Sequence, residues 1–247
     1  MKMSAVNENS LILYFGDAIN AQVADRIGLA VPLIRSALGQ ALIDVVPSYT
    51  SVLVTFDIMS IGMEECLATL QETLQEIDEL EGHSQQSAQI EIPVYYGPEV
   101  ALDADDVCAH TGLSFEEIVA IHSSETYRVY AIGFTPGFAY LGNTDARIEI
   151  PRKKTPRLSI PKGSVALADR QTAIYPKVSP GGWQVIGKTP IDLIDYQRDN
   201  LTLFEMGAKV TFKPITREQF LQLGGELPQA THKETRVKKP QSDKEIA

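Results

Sequence analysis

Between Arg147 and Lys188 the chain carries nine basic residues: Arg147, Arg152, Lys153, Lys154, Arg157, Lys162, Arg170, Lys177 and Lys188. Only Glu149 and Asp169 oppose them there, although the whole chain has a net charge of −10 at pH 7. A basic region on an acidic chain can hold or steer a small anion such as a phosphate or a carboxylate. Two of its arginines follow prolines, in the pairs Pro151-Arg152 and Pro156-Arg157. Proline fixes the backbone before each guanidinium and so lowers the cost of presenting a rigid fork of donors. Arg152 and Arg157 are therefore the expected catalytic, anion-holding pair, whereas Lys153 and Lys154 read as solvated loop charges.

Next to this run stands "KVSPGGWQVIG" (177–187), in which Pro180, Gly181 and Gly182 lead directly into Trp183, the single tryptophan of the chain. Two glycines let other atoms approach the backbone, and the indole supplies an apolar wall that excludes water. The same letters also describe a tight turn followed by a core aromatic, and both readings stand. His122 likewise reads two ways. It is either a proton-transfer group or a histidine at a helix C-terminus, favoured there by the dipole.

Several familiar signatures are absent or misplaced. "SIPK" (159–162) has the letters of a Ser-x-x-Lys motif, but Pro161 between the pair opposes the helix that motif requires. "PKGS" (161–164) is not a phosphate loop, and neither G-x-S-x-G nor H-E-x-x-H occurs. Cys66 and Cys108 belong to no CxxC or histidine cluster, so neither a disulfide framework nor a metal site is expected. Cys66 lies on the apolar stripe of a helix and reads as a buried small hydrophobe.

The elements that must position these residues fall into two halves. Residues 1–88 hold two of the 14 prolines. LILYF (11–15) reads as a strand, and Val23, Ile27, Ala30, Ile34 and Leu38, with Ile19 before them, mark a helix. Asn20 is its N-cap, and Pro32 is expected to kink or split it. ALIDVV (41–46) and SVLVTF (51–56) form a hairpin-like pair, and Met63, Leu67, Leu70, Leu74 and Ile77 mark a second helix. A polar linker, EGHSQQSAQ (81–89), follows it. With IEIPVYYG (90–97) as a last strand, the order β-α-β-β-α-β predicts a ferredoxin-like α+β domain. After residue 98 the pattern changes. Asp103 reads as a helix cap, and Ser114 with Glu117 as a capping box for a helix reaching His122. Residues 136–190 carry seven of the prolines between short β-runs, which argues a β-barrel or a sandwich for the second domain, 89–230. The tail 231–247 is polar and expected to be disordered.

Composition narrows the class. With 44% hydrophobic and 22% charged residues, the chain can bury a real core. Its acidity argues against a nucleic-acid partner. No apolar run approaches the roughly 18 residues of a membrane span. Without a secretory signal the expected location is cytoplasmic.

Three stretches, "GFTPGFAYLG" (133–142), "PRKKTPRLSIPKGSVALADRQTAIYP" (151–176) and "SPGGWQVIGKTP" (179–190), closely resemble the family of 5-oxoprolinase B subunits. That family is also described as KipI-like or allophanate hydrolase subunit 1-like. The resemblance extends more weakly over 10–220, through "SYTSVLVTFD" (48–57) and "IHSSETYRVY" (121–130). It implies an α+β N-terminal domain followed by a cyclophilin-like β-barrel. It also implies two partners, a sister C subunit (KipA-like, allophanate hydrolase subunit 2-like) and an A subunit. Together these open 5-oxoproline to L-glutamate with ATP hydrolysis, bringing ATP and Mg²⁺ to this chain or to its interface with a partner. The substrate-binding residues expected in the matching motifs are Phe134, Pro136, Gly137, Phe138, Tyr140, Lys162, Gln171, Tyr175, Pro180, Gly181, Gly182 and Trp183. Related modules form the carboxyltransferase domain of urea carboxylase. The alternative within the family is a protein inhibitor of a sensor histidine kinase.

Overall fold

The computed structural model describes residues 1–78, 89–197 and 201–228. The expected tail 231–247 and nearly all of the expected linker 81–89 lie outside the described residues.

An N-terminal hairpin of β1 (Lys2–Asn7) and β2 (Ser10–Tyr14) opens the chain. Then follow α1 (Ala21–Leu38), β3 (Leu42–Pro47), β4 (Ser51–Phe56) and α2 (Met63–Leu74). The Asn20 side chain accepts from Val23 N at 2.9 Å, the N-cap the sequence announces. Pro32 does not split α1. It removes one backbone hydrogen bond, but Val23, Ile27, Ala30 and Ile34 on the buried stripe continue through it. Burying such side chains stabilises by about 1.5–3 kcal/mol each for the larger ones, enough to offset an interrupted ladder. Ile19 falls outside the helix and is exposed.

The first sheet has the order β1-β2-β4-β3 with every pairing antiparallel. Leu11, Leu13, Val52, Val54 and Phe56 share one core with the stripes of α1 and α2. The expected ferredoxin-like order is altered at one edge. Strand β5 (Gln89–Val94) does not close this sheet, and β1 takes the place beside β2. Instead β5 pairs in parallel with β13 (Lys209–Pro214) over six residues and sends Ile92 and Val94 into the second core.

That second core is wrapped by a seven-stranded sheet. After α3 (Ala104–Thr111) and α4 (Phe115–Ser124) come β6 (Thr126–Ile132), β7 (Ala139–Gly142), β8 (Arg157–Ile160) and β9 (Ser164–Ala168). Then follow β10 (Gln171–Ile174), β11 (Ser179–Gly181), β12 (Gln184–Lys188), β13 and α5 (Arg217–Gln222). The order is β12-β9-β10-β7-β6-β13-β5. Its two ends meet just beyond β5, where Tyr95 and Lys188 exchange backbone hydrogen bonds of 2.9 and 2.8 Å. Gly187 makes this seam possible, because a Cβ there would stand 2.9 Å from Val94 Cγ1 and 3.0 Å from the Tyr95 carbonyl oxygen. The sheet is thus a nearly closed barrel. Helix α4, held by the Ser114–Glu117 capping box, packs against β13 and buries Ile118, Ile121 and His122.

The barrel strands have two apolar faces. Val165 and Leu167 of β9 point into the main core, whereas Ala166 and Ala168 belong to a separate cluster with Phe138, Ile160, Ala173, Tyr175, Trp183 and Val185. The two-stranded ribbon of β8 and β11 contributes Ile160 to that outer cluster. Among the described residues no helix is long and apolar enough to cross a membrane.

Candidate functional site

On the outer face of β9 and β10, the alanines 166, 168 and 173 leave space that aromatic rings fill. Phe138 is the hub. Its ring meets Tyr140 at 5.0 Å, Tyr175 at 5.4 Å and Trp183 at 5.7 Å, all edge to face. Such pairs add about 0.5–1.5 kcal/mol each beyond their buried area and hold the rings in one arrangement. Trp183 is 4% exposed. The Arg152 guanidinium lies over its ring, 5.6 Å from the centroid. Phe134 extends the wall outward, edge to face with Phe138 at 5.4 Å, and stands exposed with φ 68°. Pro136 and Gly137 shape the turn between these two phenylalanines.

Gly181 serves this cluster rather than a ligand. A Cβ at 181 would lie 2.3 Å from the Tyr175 hydroxyl and 2.9 Å from Ile160 Cδ1. Gly182 is less confined, with its nearest neighbour at 3.5 Å, and Pro180 is exposed beside them. Trp183 is packed as a core aromatic, and one face of the indole meets Arg152. Burial pushes the Tyr175 hydroxyl up to about 12, although a backbone N–H from Trp183 and the Arg152 charge oppose the shift.

The sequence missed one member of this assembly. Tyr49, in the turn between β3 and β4, reaches the barrel from the first sheet. Its ring stacks on Tyr130 at 6.3 Å and meets Tyr140 at 6.1 Å. Its hydroxyl oxygen accepts from Gln171 Nε2 at 2.8 Å. The nearest signal was its place in the resembling stretch 48–57. An ion pair between Asp25 of α1 and Arg128 of β6 also ties the N-terminal half to the barrel.

The expected pair of arginines does not form. Arg157 grips Asp103 with both terminal nitrogens, at 2.5 and 2.7 Å, and Lys153 reaches the same carboxylate at 2.6 Å. Asp103 does not cap α3 with its side chain, as its position suggests; it also accepts from Val185 N at 2.7 Å. Burial alone would raise its carboxyl, but hydrogen bonds from Arg157, Lys153 and Val185 outweigh burial and hold it below the usual range. Lys153 is correspondingly no solvated loop charge. Its ammonium also meets Asp106 at 2.7 Å, and its backbone N–H donates to the Gly182 carbonyl at 2.7 Å.

Most of the remaining basic run is engaged as well. Lys162 pairs with Asp192 at 2.5 Å, and Arg147 pairs with Asp145. Arg170 donates to the Thr144 carbonyl, and Lys188 to that of Glu226. Arg152 is the guanidinium of the run without an oxygen acceptor among the described residues. Of the nine cations, Lys153, Arg157 and Lys162 are neutralised by aspartates distant in sequence and Arg147 by the nearby Asp145.

His122 sits apart from the rings, fully buried within the barrel. Thr172 Oγ1 donates to the Ala166 carbonyl, so it accepts from His122 Nε2–H at 2.9 Å. His122 Nδ1 then accepts from the Tyr96 hydroxyl at 2.8 Å, and Phe212 stacks on the ring at 4.6 Å. Burial lowers its pKa to about 3, which keeps the imidazole neutral. With both nitrogens occupied and no access to solvent, the geometry gives His122 a structural place, not the proton-transfer role.

The chain matches the model of the carboxyltransferase domain, subdomain C and D, over residues 1–204. It is 36% identical over 229 residues to a Bacillus subtilis protein named as the B subunit of 5-oxoprolinase, covering 89% of this chain and 95% of that one. It is also similar to the crystal structure of TTHA0988, with a TM-score of 0.73 and 32% identity, covering 89% of this chain and 41% of that one. The Kluyveromyces lactis urea carboxylase shares the fold at 16% identity, with a TM-score of 0.66 over 89% of this chain and 22% of that one. The chain thus spans most of its bacterial relative and less than half of either structural neighbour. Matched along most of its length, the chain belongs to the family of 5-oxoprolinase B subunits, within the carboxyltransferase domain, subdomain C and D.

Proposed function

We propose that this chain is the B subunit of a cytoplasmic ATP-dependent 5-oxoprolinase, acting with the C and A subunits to open 5-oxoproline to L-glutamate. The ligand site proposed here is the outer face of a cyclophilin-like barrel. There the carboxylate of 5-oxoproline meets Arg152, and its ring lies against the accessible aromatic surface of Tyr140 and Phe134. The observation that carries this reading is the Arg152 guanidinium over the Trp183 face, free of any oxygen acceptor among the described residues, in a chain akin to named B subunits. A guanidinium and a carboxylate match as a two-pronged pair, and a ring on an aromatic wall is held by apolar contact.

The residues fit one small carboxylate and do not fit a triphosphate. Arg157, Lys153, Lys162 and Arg170, which a nucleotide would need beside Arg152, are committed to protein oxygens. We therefore assign ATP and its Mg²⁺ to a partner of this chain. The test is L-glutamate release from 5-oxoproline and ATP by the three subunits together, each omitted in turn. Release that stops when this chain is left out supports the reading; release that continues without it overturns it.

A further inference from the structure

Tyr49 comes from the first sheet, yet its ring lies among the aromatic residues of the barrel face. Its oxygen already accepts from Gln171 Nε2, and among the described residues no acceptor takes its hydroxyl hydrogen. That hydrogen is therefore available to an oxygen brought in by a ligand. A run of aromatic contacts connects it to the guanidinium. Tyr49 meets Tyr140 at 6.1 Å, Tyr140 meets Trp183 at 5.9 Å, and Arg152 lies over Trp183. Tyr140, half-buried, is the ring that meets both Tyr49 and Trp183.

We infer that Tyr49 is a ligand-binding residue, whose hydroxyl donates to the amide carbonyl oxygen of a small cyclic amide while Arg152 holds the carboxylate of the same molecule. The inference rests on the proposed function for the identity of that ligand and adds the second point of recognition. One charged donor at one end and one neutral donor at the other select a molecule with a carboxylate and a carbonyl on one ring. The neutral donor suits an amide oxygen. Burial raises the Tyr49 pKa, opposed by the Gln171 hydrogen bond and the Arg152 charge, so the phenol keeps its proton at neutral pH. The ligand would also link the N-terminal half to the barrel, because Tyr49 comes from the β3–β4 turn and Arg152 from the loop before β8.

The single tryptophan gives a direct readout. Fluorescence of Trp183 in the full chain is followed during titration with 5-oxoproline, with 2-pyrrolidinone (the amide alone) and with cyclopentanecarboxylate (the carboxylate alone). Tyr49→Phe keeps the ring on Tyr130 and removes only the hydroxyl. It should weaken 5-oxoproline and 2-pyrrolidinone about three- to tenfold and leave cyclopentanecarboxylate unchanged. Arg152→Met should show the converse, with 5-oxoproline and cyclopentanecarboxylate weakened by about tenfold or more. Circular dichroism confirms that both variants are folded. A parent chain that binds none of the three, or a folded Tyr49→Phe chain that binds all three like the parent, overturns the inference. Glutamate release by the mixture of all three subunits is scored separately. Release that needs this chain but ignores Tyr49→Phe leaves the functional reading standing and removes this one. The predicted binding pattern without release does the reverse.

Discussion

Replacing Asp103 by asparagine should destabilise the protein by about 3 kcal/mol. Asp103 Oδ1 accepts from Lys153 Nζ at 2.6 Å and Arg157 Nη2 at 2.7 Å; Oδ2 accepts from Arg157 Nη1 at 2.5 Å and Val185 N at 2.7 Å. An asparagine of the same shape has one oxygen and one NH₂ group. Whichever way it turns, the NH₂ faces two donors, and two cations lose their counter-charge. Breaking a buried pair from one side costs about 3–5 kcal/mol. The side chains of Lys153 and Arg157 keep 20% and 27% of their exposure, so water offsets part of the loss and the lower end applies. For a chain of this size that is a fall in Tm of about 6–12 °C. Thermal and urea unfolding followed by circular dichroism measure it. Arg157→Met should cost less in the Asp103→Asn background than in the parent, because its partner is already gone. A loss below about 1 kcal/mol for Asp103→Asn, or strictly additive effects, would refute this account of the cluster.

Gly181→Ala should cost about 1–3 kcal/mol in urea unfolding, since its methyl group would enter the Tyr175 hydroxyl at 2.3 Å, whereas Gly182→Ala, with 3.5 Å to its nearest neighbour, should be close to neutral. His122 makes the fold sensitive to acid. Its folded pKa, lowered by burial to about 3, is below the ordinary value of 6.5, so the unfolded chain takes up a proton that the folded chain refuses. Stability is thus withdrawn as pH falls from about 6.5 towards 3. The lowered carboxyl of Asp103 adds to the loss at the acidic end. Urea midpoints measured against pH should show a shallower slope for His122→Gln than for the parent in that window, even though the variant is less stable at pH 7.

Local structure was largely legible from the residues. The Asn20 cap, the Ser114–Glu117 box and the stripe of α1 are settled by contacts within a few positions, and the structure has all three. Strand β1 was not legible, because KMSAVN lies at a sheet edge, is mostly exposed and has no strong alternation to betray it. The partner of β5 was not legible either. IEIPVYYG reads as a strand in any sheet, and only the distant β13 decides which. The candidate site divides in the same way. Trp183, Phe138, Tyr140, Tyr175 and Arg152 lie in dense motifs and do come together. Arg157 sits in the same motif but belongs to Asp103, 54 positions upstream, and nothing near either residue announces that pairing. Tyr49 is still further from Gln171 along the chain and meets it only because the β3–β4 turn packs on the barrel.

The central claim is that Arg152, rather than the paired cations around it, holds the substrate. The direct measurement is kcat/KM for 5-oxoproline in the complex of all three subunits carrying Arg152→Met, beside Lys154→Met as a control from the same loop. A charge-assisted hydrogen bond of about 1.5–3 kcal/mol predicts a fall of roughly ten- to 150-fold for Arg152→Met and little change for the control. An Arg152→Met complex that assembles and turns over like the parent would contradict the account.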